Sequence, residues 1–246
     1  MFLGQVEGFP GCYHMPTLSQ DGDGGAAATG HGRDHKWFSF IYERLTASRG
    51  KTFLREGRED IAGGAKGRVL EIGCGPGINF PYYNGEAVTE LVATDPDGYM
   101  IEYASKRKAQ FPGKLILERT SAEALPFPDS SFDAVVSILV LCTVPNIDKA
   151  LSEVKRVLKP GGQFRFYEHV RYDRRFMALF QDLITPAWRW FGAGCRPNRD
   201  IARSMRKAGF EFAEFQFLKE VPPIPPGLFI RPHIKGIAVP GTDAGP

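Results

Sequence analysis

The sequence has no long apolar run, and this absence limits where the protein can act. No stretch approaches the about 20 consecutive apolar residues that a membrane-spanning helix requires. Residues 1–33 contain no basic segment followed by an apolar one, so no secretory signal peptide is expected. We therefore expect an intracellular, cytoplasmic protein without a membrane anchor and keep membrane association as the alternative.

Cysteine is scarce as well. The chain has only Cys12, Cys74, Cys142 and Cys195, which lie far apart, and no two of them form a C-x-x-C pair. This spacing predicts neither a disulfide framework nor a metal site. Dispersed thiols are typical of proteins from a reducing, intracellular compartment.

An excess of one charge sign is the third absence. The chain of 246 residues has 31 Lys and Arg against 28 Asp and Glu, which gives a net charge of +3. Nucleic-acid-binding domains usually carry a pronounced basic surface, so no nucleic-acid partner is expected. A hydrophobic content of 43% instead indicates an ordinary globular protein.

Two parts of the chain differ in composition. Residues 1–33 are rich in Gly, Ser, Asp and Ala, which predicts a mobile tail. From Asp34 onward apolar residues recur at helical intervals, and Asp34 is a suitable N-cap for that first helix. We predict a single domain over residues 34–246.

Beyond the first helix, short apolar segments alternate with helical segments. The predicted strands cover residues 68–72, 90–94, 115–119, 132–140, 163–170, 210–218 and 233–239. The predicted helices cover residues 97–111, 147–158 (ended by Lys159–Gly162), 174–184 and 201–209, with a short helix from Ile78 and a stop or kink at Pro186. This alternation predicts a doubly wound α/β fold with a mostly parallel seven-stranded sheet. In such folds the ligand lies at the carboxyl ends of the strands.

The segment RVLEIGCGPGINF places Gly73, Gly75 and Gly77 directly after the first predicted strand. Glycines there can adopt positive φ angles and let a ligand approach the backbone closely. A dinucleotide-binding loop would need a further glycine at position 78, where this chain has Ile78. Glu71 would repel a pyrophosphate but not a cofactor that carries an ammonium and a sulfonium. The loop therefore favours such a cofactor over a dinucleotide, with a ligand-free turn as the alternative.

An acidic residue follows the second predicted strand. Asp95, in VATDPDG, can accept hydrogen bonds from both ribose hydroxyls of a bound nucleoside. The alternative is that Asp95 caps the following helix. After the third strand, Ser121 and Glu123 lie where the edge of an adenine could be recognised, although the same residues are typical of an ordinary loop.

Several segments carry a resemblance to a known family. VLEIGCGPG, AEALPFPDSSFDAVVS and VKRVLKPGG resemble successive motifs of class I S-adenosylmethionine-dependent methyltransferases, over about residues 60–165. LVLCTV, YEHV, PAW, GC and RPHIKGIAV are similar to the animal methyltransferase-like group, member seven, a small family associated with S-methylation of thiols. Those relatives begin with an apolar membrane-anchoring segment and this chain begins with its polar tail, so the resemblance does not extend to an anchor.

The resemblance implies S-adenosyl-L-methionine as the cofactor and a small molecule as the methyl acceptor, and it implies no oligomeric state. The implied cofactor-binding residues are Glu71, Gly73, Cys74, Gly75 and Gly77 around the methionyl part, Asp95 and Pro96 at the ribose, Ser121, Ala122 and Glu123 at the adenine, and Ile138 and Leu139 beside the sulfonium. The favoured acceptor is a small hydrophobic thiol. O- or C-methylation of a lipid or quinone is one alternative, and cofactor binding without catalysis is another.

A thiol acceptor needs help to react, because a free thiol has a pKa of about 8.5 and is mostly protonated at neutral pH. His169, at the end of the fifth predicted strand, is the candidate to take the proton or hold the thiolate. Glu168 is the candidate to orient His169 or the acceptor. A purely structural His169 is the alternative.

Three further features belong to the acceptor side. Arg231 and His233 either supply positive charge or brace the last strands. Trp188 and Trp190 lie in an aromatic segment that either packs in the core or lines a hydrophobic pocket. Cys142 lies within an apolar run, so we expect it to be a small buried apolar residue.

Overall fold

The computed structural model describes residues 54–218 and 232–241, together with Lys36, Ser39, Phe40 and Arg44, which are helical. The predictions for the tail at residues 1–33, for the N-cap Asp34 and for Arg231 lie outside the described residues. None of the described helices is long and apolar enough to cross a membrane. The cytoplasmic location and the absence of a nucleic-acid partner stay predictions.

Seven strands and five α-helices are complete within the described residues. The strands are β1 (Gly67–Ile72), β2 (Val88–Thr94), β3 (Leu115–Glu118), β4 (Phe132–Ile138), β5 (Leu158–His169), β6 (Phe210–Leu218) and β7 (His233–Pro240). The helices are α1 (Arg55–Ile61), α2 (Gly98–Lys106), α3 (Ile147–Val157), α4 (Arg175–Phe191) and α5 (Ile201–Lys207). Two short 3-10 helices cover Phe80–Tyr82 and Lys108–Gln110.

The strands form one sheet in the order β3-β2-β1-β4-β5-β7-β6. The first five strands are parallel, while β7 pairs antiparallel with both β5 and β6. The prediction of a doubly wound, mostly parallel seven-stranded sheet is confirmed. Strand order reverses between β1 and β4, and the carboxyl ends of strands at such a point form the crevice in which ligands bind.

Alternate residues of β1 pack against different layers of helices. Leu70 and Ile72 belong to the core that contains Leu151 of α3, while Val69 belongs to the core that contains Ala104 of α2. This period of two follows from the pleat, which points successive side chains to opposite faces of the sheet. Glu71 is the exception to the apolar pattern, since its carboxylate is buried beside Val69 with only 1% of its surface exposed.

Two local predictions are wrong. The glycine segment leads into turns and the 3-10 helix Phe80–Tyr82 instead of an α-helix from Ile78, because Pro81 and the following Asn and Gly residues favour turns. The helix before Lys159–Gly162 ends at Val157, which confirms its predicted end, and these four residues then lie within β5. Pro186 does not stop α4, because it lies on the exposed side, where water can bond the carbonyl that proline leaves without a donor. A kink at Pro186 stays a prediction.

Candidate active site

Four strands bring their carboxyl ends to one edge of the sheet. Ile72, the last residue of β1, lies opposite Thr94 of β2 and Ser137 of β4. The last residue of β4 pairs with Tyr167 of β5. The loops that follow these strands therefore place the glycine segment, Asp95, the turn at residues 139–144 and His169 around one crevice.

The glycine segment needs glycine at the predicted positions. Gly73, Gly75 and Gly77 have φ angles of 60°, 54° and 79°, a region that residues with a side chain rarely adopt. A Cβ atom at Gly73 would lie 2.6 Å from Cγ1 of Val140, and one at Gly77 would collide with the ring of Phe80. Close packing as well as backbone conformation therefore excludes larger residues here.

The carboxylate of Glu71 is held in one orientation by two neighbours. Its Oε1 accepts a hydrogen bond from Nδ2 of Asn79 at 2.6 Å, and its Oε2 accepts one from the Tyr83 hydroxyl at 3.0 Å. The guanidinium of Arg58 donates to Oδ1 of Asn79 and so adds positive charge behind the pair. Burial raises the pKa of Glu71 to about 7, although these hydrogen bonds and Arg58 oppose the shift. A cationic ligand nearby would return Glu71 to its ionised form.

Asp95 accepts two backbone hydrogen bonds. The amide of Gly75 donates to Oδ2 at 3.0 Å, and the amide of Asp97 donates to Oδ1 at 2.9 Å. Burial raises the pKa of Asp95 to about 6. Each carboxylate oxygen keeps a second lone pair, which is the capacity that a pair of ribose hydroxyls requires. The alternative that Asp95 caps α2 is wrong, because the side chain of Asp97 accepts from the amide of Tyr99 and is the N-cap.

The remaining predicted cofactor residues surround these two carboxylates. Cys74 is buried, its amide donates to the carbonyl of Thr94 at 2.8 Å, and burial raises the pKa of its thiol. The carbonyl of Pro96 accepts from Nε of Arg119 at 3.2 Å. Ala122 is buried between Ser121 and Glu123. The Glu123 carboxylate accepts from the amide of Asn146, the N-cap of α3, so its side chain fixes the start of that helix.

The turn after β4 is held by Glu168. Its Oε1 accepts from the Ser137 hydroxyl at 2.6 Å and from the amides of Val140 and Leu141 at 3.0 and 3.1 Å. Burial raises the pKa of Glu168. Ile138 is buried and Leu139 has a φ of 61°, a strained conformation for a residue with a branched side chain. Glu168 therefore positions the turn and makes no hydrogen bond to the imidazole of His169.

A second group of side chains lies at the same edge, which we call the Cys–His cluster (Cys142, His169 and Cys195). One nitrogen or sulfur atom from each of these buried residues lies within 4.8 Å of the other two. Nε2 of His169 is 3.2 Å from Sγ of Cys195, and the indole Nε1 of Trp188 donates to the same sulfur at 3.2 Å. Nδ1 of His169 has no hydrogen-bond partner within the described part of the chain.

The cluster perturbs its own ionisation. A hydrogen bond from Cys142 lowers the pKa of Cys195, and the positive charge and hydrogen bond of His169 lower it further, against the effect of burial. Burial lowers the pKa of His169, but the neighbouring Cys195 thiolate outweighs it, so the net shift is upward. Hydrogen bonding to Cys195 and burial raise the pKa of Cys142. The cluster thus favours a thiolate on Cys195 that faces a protonated imidazole.

The role of Cys195 and its approach to Cys142 were not predicted from the sequence. The loop between α4 and α5 (residues 192–200) folds back on the turn after β4, where the amide of Arg196 donates to the carbonyl of Cys142 at 2.9 Å. Nη1 of Arg199 donates to the carbonyl of Val144 at 2.8 Å in the same contact. The spacing of the cysteines along the chain could not predict this contact, because the contact depends on the conformation of the loop between α4 and α5. The burial expected for Cys142 is confirmed.

His233 lies behind the cluster. It pairs with His169 across β5 and β7, with ring centroids 6.2 Å apart and edge to face, and its ring packs 5.3 Å from that of Tyr167. These contacts favour the bracing role for His233. Of the two tryptophans, Trp188 packs against the core, whereas Trp190 is 80% exposed. Trp188 is therefore the aromatic residue that belongs to the acceptor side.

Comparisons with known proteins agree with this architecture. Residues 70–166 match the family model described as "Methyltransferase domain". Thiol S-methyltransferase TMT1B of Rattus norvegicus is 34% identical over 216 residues, which cover 82% of this chain and 86% of that protein. Thiol S-methyltransferase TMT1A of Homo sapiens is 32% identical over 215 residues, covering 83% and 86%. The solved structure of a putative methyltransferase from Bacillus halodurans shares the fold, with a TM-score of 0.62, 19% identity and coverage of 76% of this chain and 98% of that one.

Proposed function

Since the chain belongs to the thiol S-methyltransferase family of S-adenosylmethionine-dependent methyltransferases, we propose that its methyl acceptor is a small hydrophobic thiol. One observation carries this proposal. The identity to thiol S-methyltransferases covers 82% of the chain, well beyond residues 70–166 that match the general methyltransferase model. The acceptor side of a methyltransferase is built largely outside the cofactor motifs, so similarity there bears on the substrate.

In the reaction, a lone pair on the acceptor sulfur forms a bond to the methyl carbon of S-adenosylmethionine. The bond between that carbon and the sulfonium breaks, and its electron pair stays on the sulfur of S-adenosylhomocysteine. The main tasks of the protein are to align the two sulfurs and to exclude water. A thiolate and a sulfonium neutralise each other in the transition state, so a poorly solvated edge of the sheet favours the step.

The cofactor-binding roles follow from the contacts of the two buried carboxylates. Glu71 faces the ammonium of the methionyl part. Burial disfavours the ionised carboxylate and raises its pKa to about 7, and a nearby cation stabilises the ionised form. Asp95 accepts from the ribose hydroxyls. Ser121, Ala122 and Glu123 border the adenine, and Ile138 and Leu139 flank the sulfonium, beside the turn that Glu168 holds.

The acceptor enters over β4 and β5, next to the Cys–His cluster. Trp188, which packs against the core, offers an apolar surface there. Nε2 of His169 already contacts Cys195, so it can take a proton from the acceptor only if that contact opens. All seven strands form one sheet, which supports a single domain over residues 34–246.

A product assay with labelled S-adenosylmethionine tests the proposal. The full chain is offered an alkyl thiol, glutathione, a phenol and a quinol, and the methylated products are identified by mass spectrometry. We expect rapid methylation of the alkyl thiol and slow methylation of glutathione, whose carboxylates are costly to desolvate at an apolar edge. Turnover of the phenol or quinol without any thiol product would overturn the thiol acceptor in favour of O- or C-methylation. Cofactor binding without any product would favour a non-catalytic protein.

A further inference from the structure

We propose that Cys142, His169 and Cys195 bind a zinc ion through three protein ligands, and that its open fourth position takes the sulfur of the methyl acceptor. The first half of this statement is independent of the proposed function, and the second half rests on it. The earlier expectation of no metal site depended only on cysteine spacing along the chain. The fold removes that objection by bringing the three side chains together.

The donor atoms suit zinc in type and in separation. Two cysteine sulfurs and one imidazole nitrogen form a donor set known from catalytic zinc sites. With Zn–S bonds of about 2.3 Å and a Zn–N bond of about 2.1 Å, tetrahedral donors lie about 3.6 to 3.8 Å apart. In the protein all three donors lie within 4.8 Å of one another, and Nε2 of His169 is 3.2 Å from Sγ of Cys195. To reach these separations, that nitrogen and sulfur would move apart by about 0.4 Å, and the donors that lie farthest apart would approach by up to about 1 Å.

The scaffold holds the three ligands in place without the ion. Cys142 lies in the turn that Glu168 fixes, His169 is the last residue of β5, and Cys195 lies in the loop between α4 and α5. The amide of Cys195 donates to the carbonyl of Gly192 at 3.0 Å, which fixes that loop. Such preorganisation is what a site needs if it is to bind metal tightly and select its geometry.

The neighbours of the sulfurs have the chemistry of a metal–thiolate environment. The indole N–H of Trp188 donates to Sγ of Cys195, and N–H donors of this kind stabilise and orient a coordinating thiolate. The guanidinium of Arg199 is hydrogen-bonded to the turn that carries Cys142 and adds positive charge beside the two sulfurs. Two thiolates and one neutral imidazole balance the charge of a divalent zinc ion, so the buried site is neutral at its centre.

The number of protein ligands leaves a fourth position for another group. Within the described residues no fourth Cys, His, Asp or Glu joins the cluster, and three protein ligands are the number found where zinc keeps a position for a substrate. Sγ of Cys142 is 3.7 Å from the carbonyl oxygen of Leu139, the residue proposed to flank the sulfonium. We assign the fourth position to the side of Leu139, where a sulfur bound to the ion would lie beside the methyl group that it receives.

Zinc would convert the acceptor thiol into the thiolate that the reaction requires. The acceptor thiol binds the ion and releases its proton to solvent, because metal coordination deprotonates a thiol at neutral pH. The bound sulfur then forms the bond to the methyl carbon, the carbon–sulfonium bond breaks, and its electron pair stays on S-adenosylhomocysteine. The neutral thioether is a weaker ligand than the thiolate and leaves. Zinc changes neither its charge nor its oxidation state in this sequence.

Metal analysis tests the first half. The full chain, purified without chelators, should contain about one zinc per chain by mass spectrometry of the element. After the zinc is removed, added Co²⁺ should produce the visible bands of a tetrahedral site and near-ultraviolet bands of thiolate bound to cobalt. Wild-type protein with no zinc and no cobalt bands would overturn the metal site.

Matched variants locate the site. Cys142→Ala and Cys195→Ala should each reduce zinc content to less than one tenth, while Cys74→Ala, which removes another buried cysteine, should leave it unchanged. Circular dichroism and thermal unfolding show that each variant is folded. Equal zinc loss in Cys74→Ala would count against the assignment, and the cobalt spectrum of the wild type decides the question if a cluster variant does not fold.

An acceptor titration tests the second half. Butanethiol added to the cobalt protein together with S-adenosylhomocysteine, which has no methyl to transfer, should shift the visible bands. If butanethiol is methylated by the zinc enzyme but leaves the cobalt spectrum unchanged, the acceptor role is overturned. If zinc binds, but thiols are not methylated and do not change the cobalt spectrum, the proposed function is overturned and the metal site is not.

Discussion

The carboxyl edge of the sheet has two regions that the chain builds in different ways. The cofactor region, over β1 and β2, takes Glu71, the glycine segment and Asp95 from one short stretch of sequence. The acceptor region, over β4 and β5, takes the Cys–His cluster from three separate segments that meet only when the loop between α4 and α5 closes. A contiguous region can be recognised as a motif, whereas an assembled region cannot.

The two regions also differ in how their buried polar atoms are satisfied. Both carboxylate oxygens of Glu71 and of Asp95 accept hydrogen bonds from the protein. In the acceptor region, Oε2 of Glu168 and Nδ1 of His169 have no partner within residues 54–218 and 232–241. Buried polar atoms without partners are rare, because each one loses its hydration without replacement. Nε of Arg58, behind Glu71, has no partner there either, so the difference concerns the carboxylates: those of Glu71 and Asp95 are held at both oxygens, whereas that of Glu168 is held at one.

The largest expected effect is a loss of kcat, without a loss of cofactor affinity, when the acceptor region is altered. His169→Ala removes a group of the acceptor region, so we expect kcat to fall by about 100-fold or more, the scale of a lost catalytic group. The affinity for S-adenosylhomocysteine should stay within about twofold, since Glu71 and Asp95 are untouched. Steady-state kinetics and calorimetry measure both quantities. A variant with a lowered thermal midpoint but full kcat would show that His169 only braces β5.

The reciprocal prediction concerns the cofactor region. Asp95→Ala removes the proposed acceptor of the ribose hydroxyls, and a hydrogen bond to a charged group contributes about 1.5–3 kcal/mol. We expect the affinity for S-adenosylhomocysteine to fall by about 10- to 150-fold in calorimetry. Zinc content should stay the same. The conservative variant Asp95→Asn should recover part of the affinity, because its side-chain oxygen still accepts a hydrogen bond.

These two regions also show what could be predicted from sequence. The strands, the positive φ angles of the glycine segment and the position of Asp95 at a strand end could be predicted, because apolar alternation, closely spaced glycines and an acidic residue after a strand are local signals. The helix from Ile78 was wrong because the Pro and Asn residues that follow favour turns, and Pro186 was misjudged because its effect depends on which side of α4 faces water. Cys195 could not be found, because its partners come from loop closure and not from spacing.

A third prediction tests the contact between the two regions. Gly73 of the cofactor region packs against Val140 of the acceptor region, and an added Cβ would lie 2.6 Å from that side chain. Gly73→Ala should lower the free energy of unfolding by about 2–3 kcal/mol, through both backbone strain and crowding. Gly161→Ala is the matched control, since Gly161 has a φ of 74° but no atom within 4 Å of its added Cβ. Denaturant unfolding should show a loss of only about 1 kcal/mol there, and equal losses would show that the two regions are not in close contact.

The smallest expected effect is a pH dependence that belongs to the cofactor region alone. Burial raises the pKa of Glu71 to about 7 in the cofactor-free protein, above its ordinary value of 4.5. The folded state then holds this proton more tightly than the unfolded state, so the contribution of Glu71 to stability falls as pH rises from 4.5 to 7 and is lowest above 7.

The cofactor ammonium favours the ionised form of Glu71, so the affinity for S-adenosylhomocysteine should rise by about ninefold between pH 6 and pH 8, as the ionised fraction grows from about 0.1 to about 0.9. Calorimetric titration with S-adenosylhomocysteine at pH 6, 7 and 8 measures this slope. Glu71→Gln should reduce the rise to about twofold, the part that Asp95 contributes with its pKa of about 6, and any titration of the ligand itself is common to both proteins and cancels in the comparison. An undiminished slope in Glu71→Gln would assign the dependence to another group, and the ionisation of Glu71 would then have no part in cofactor binding.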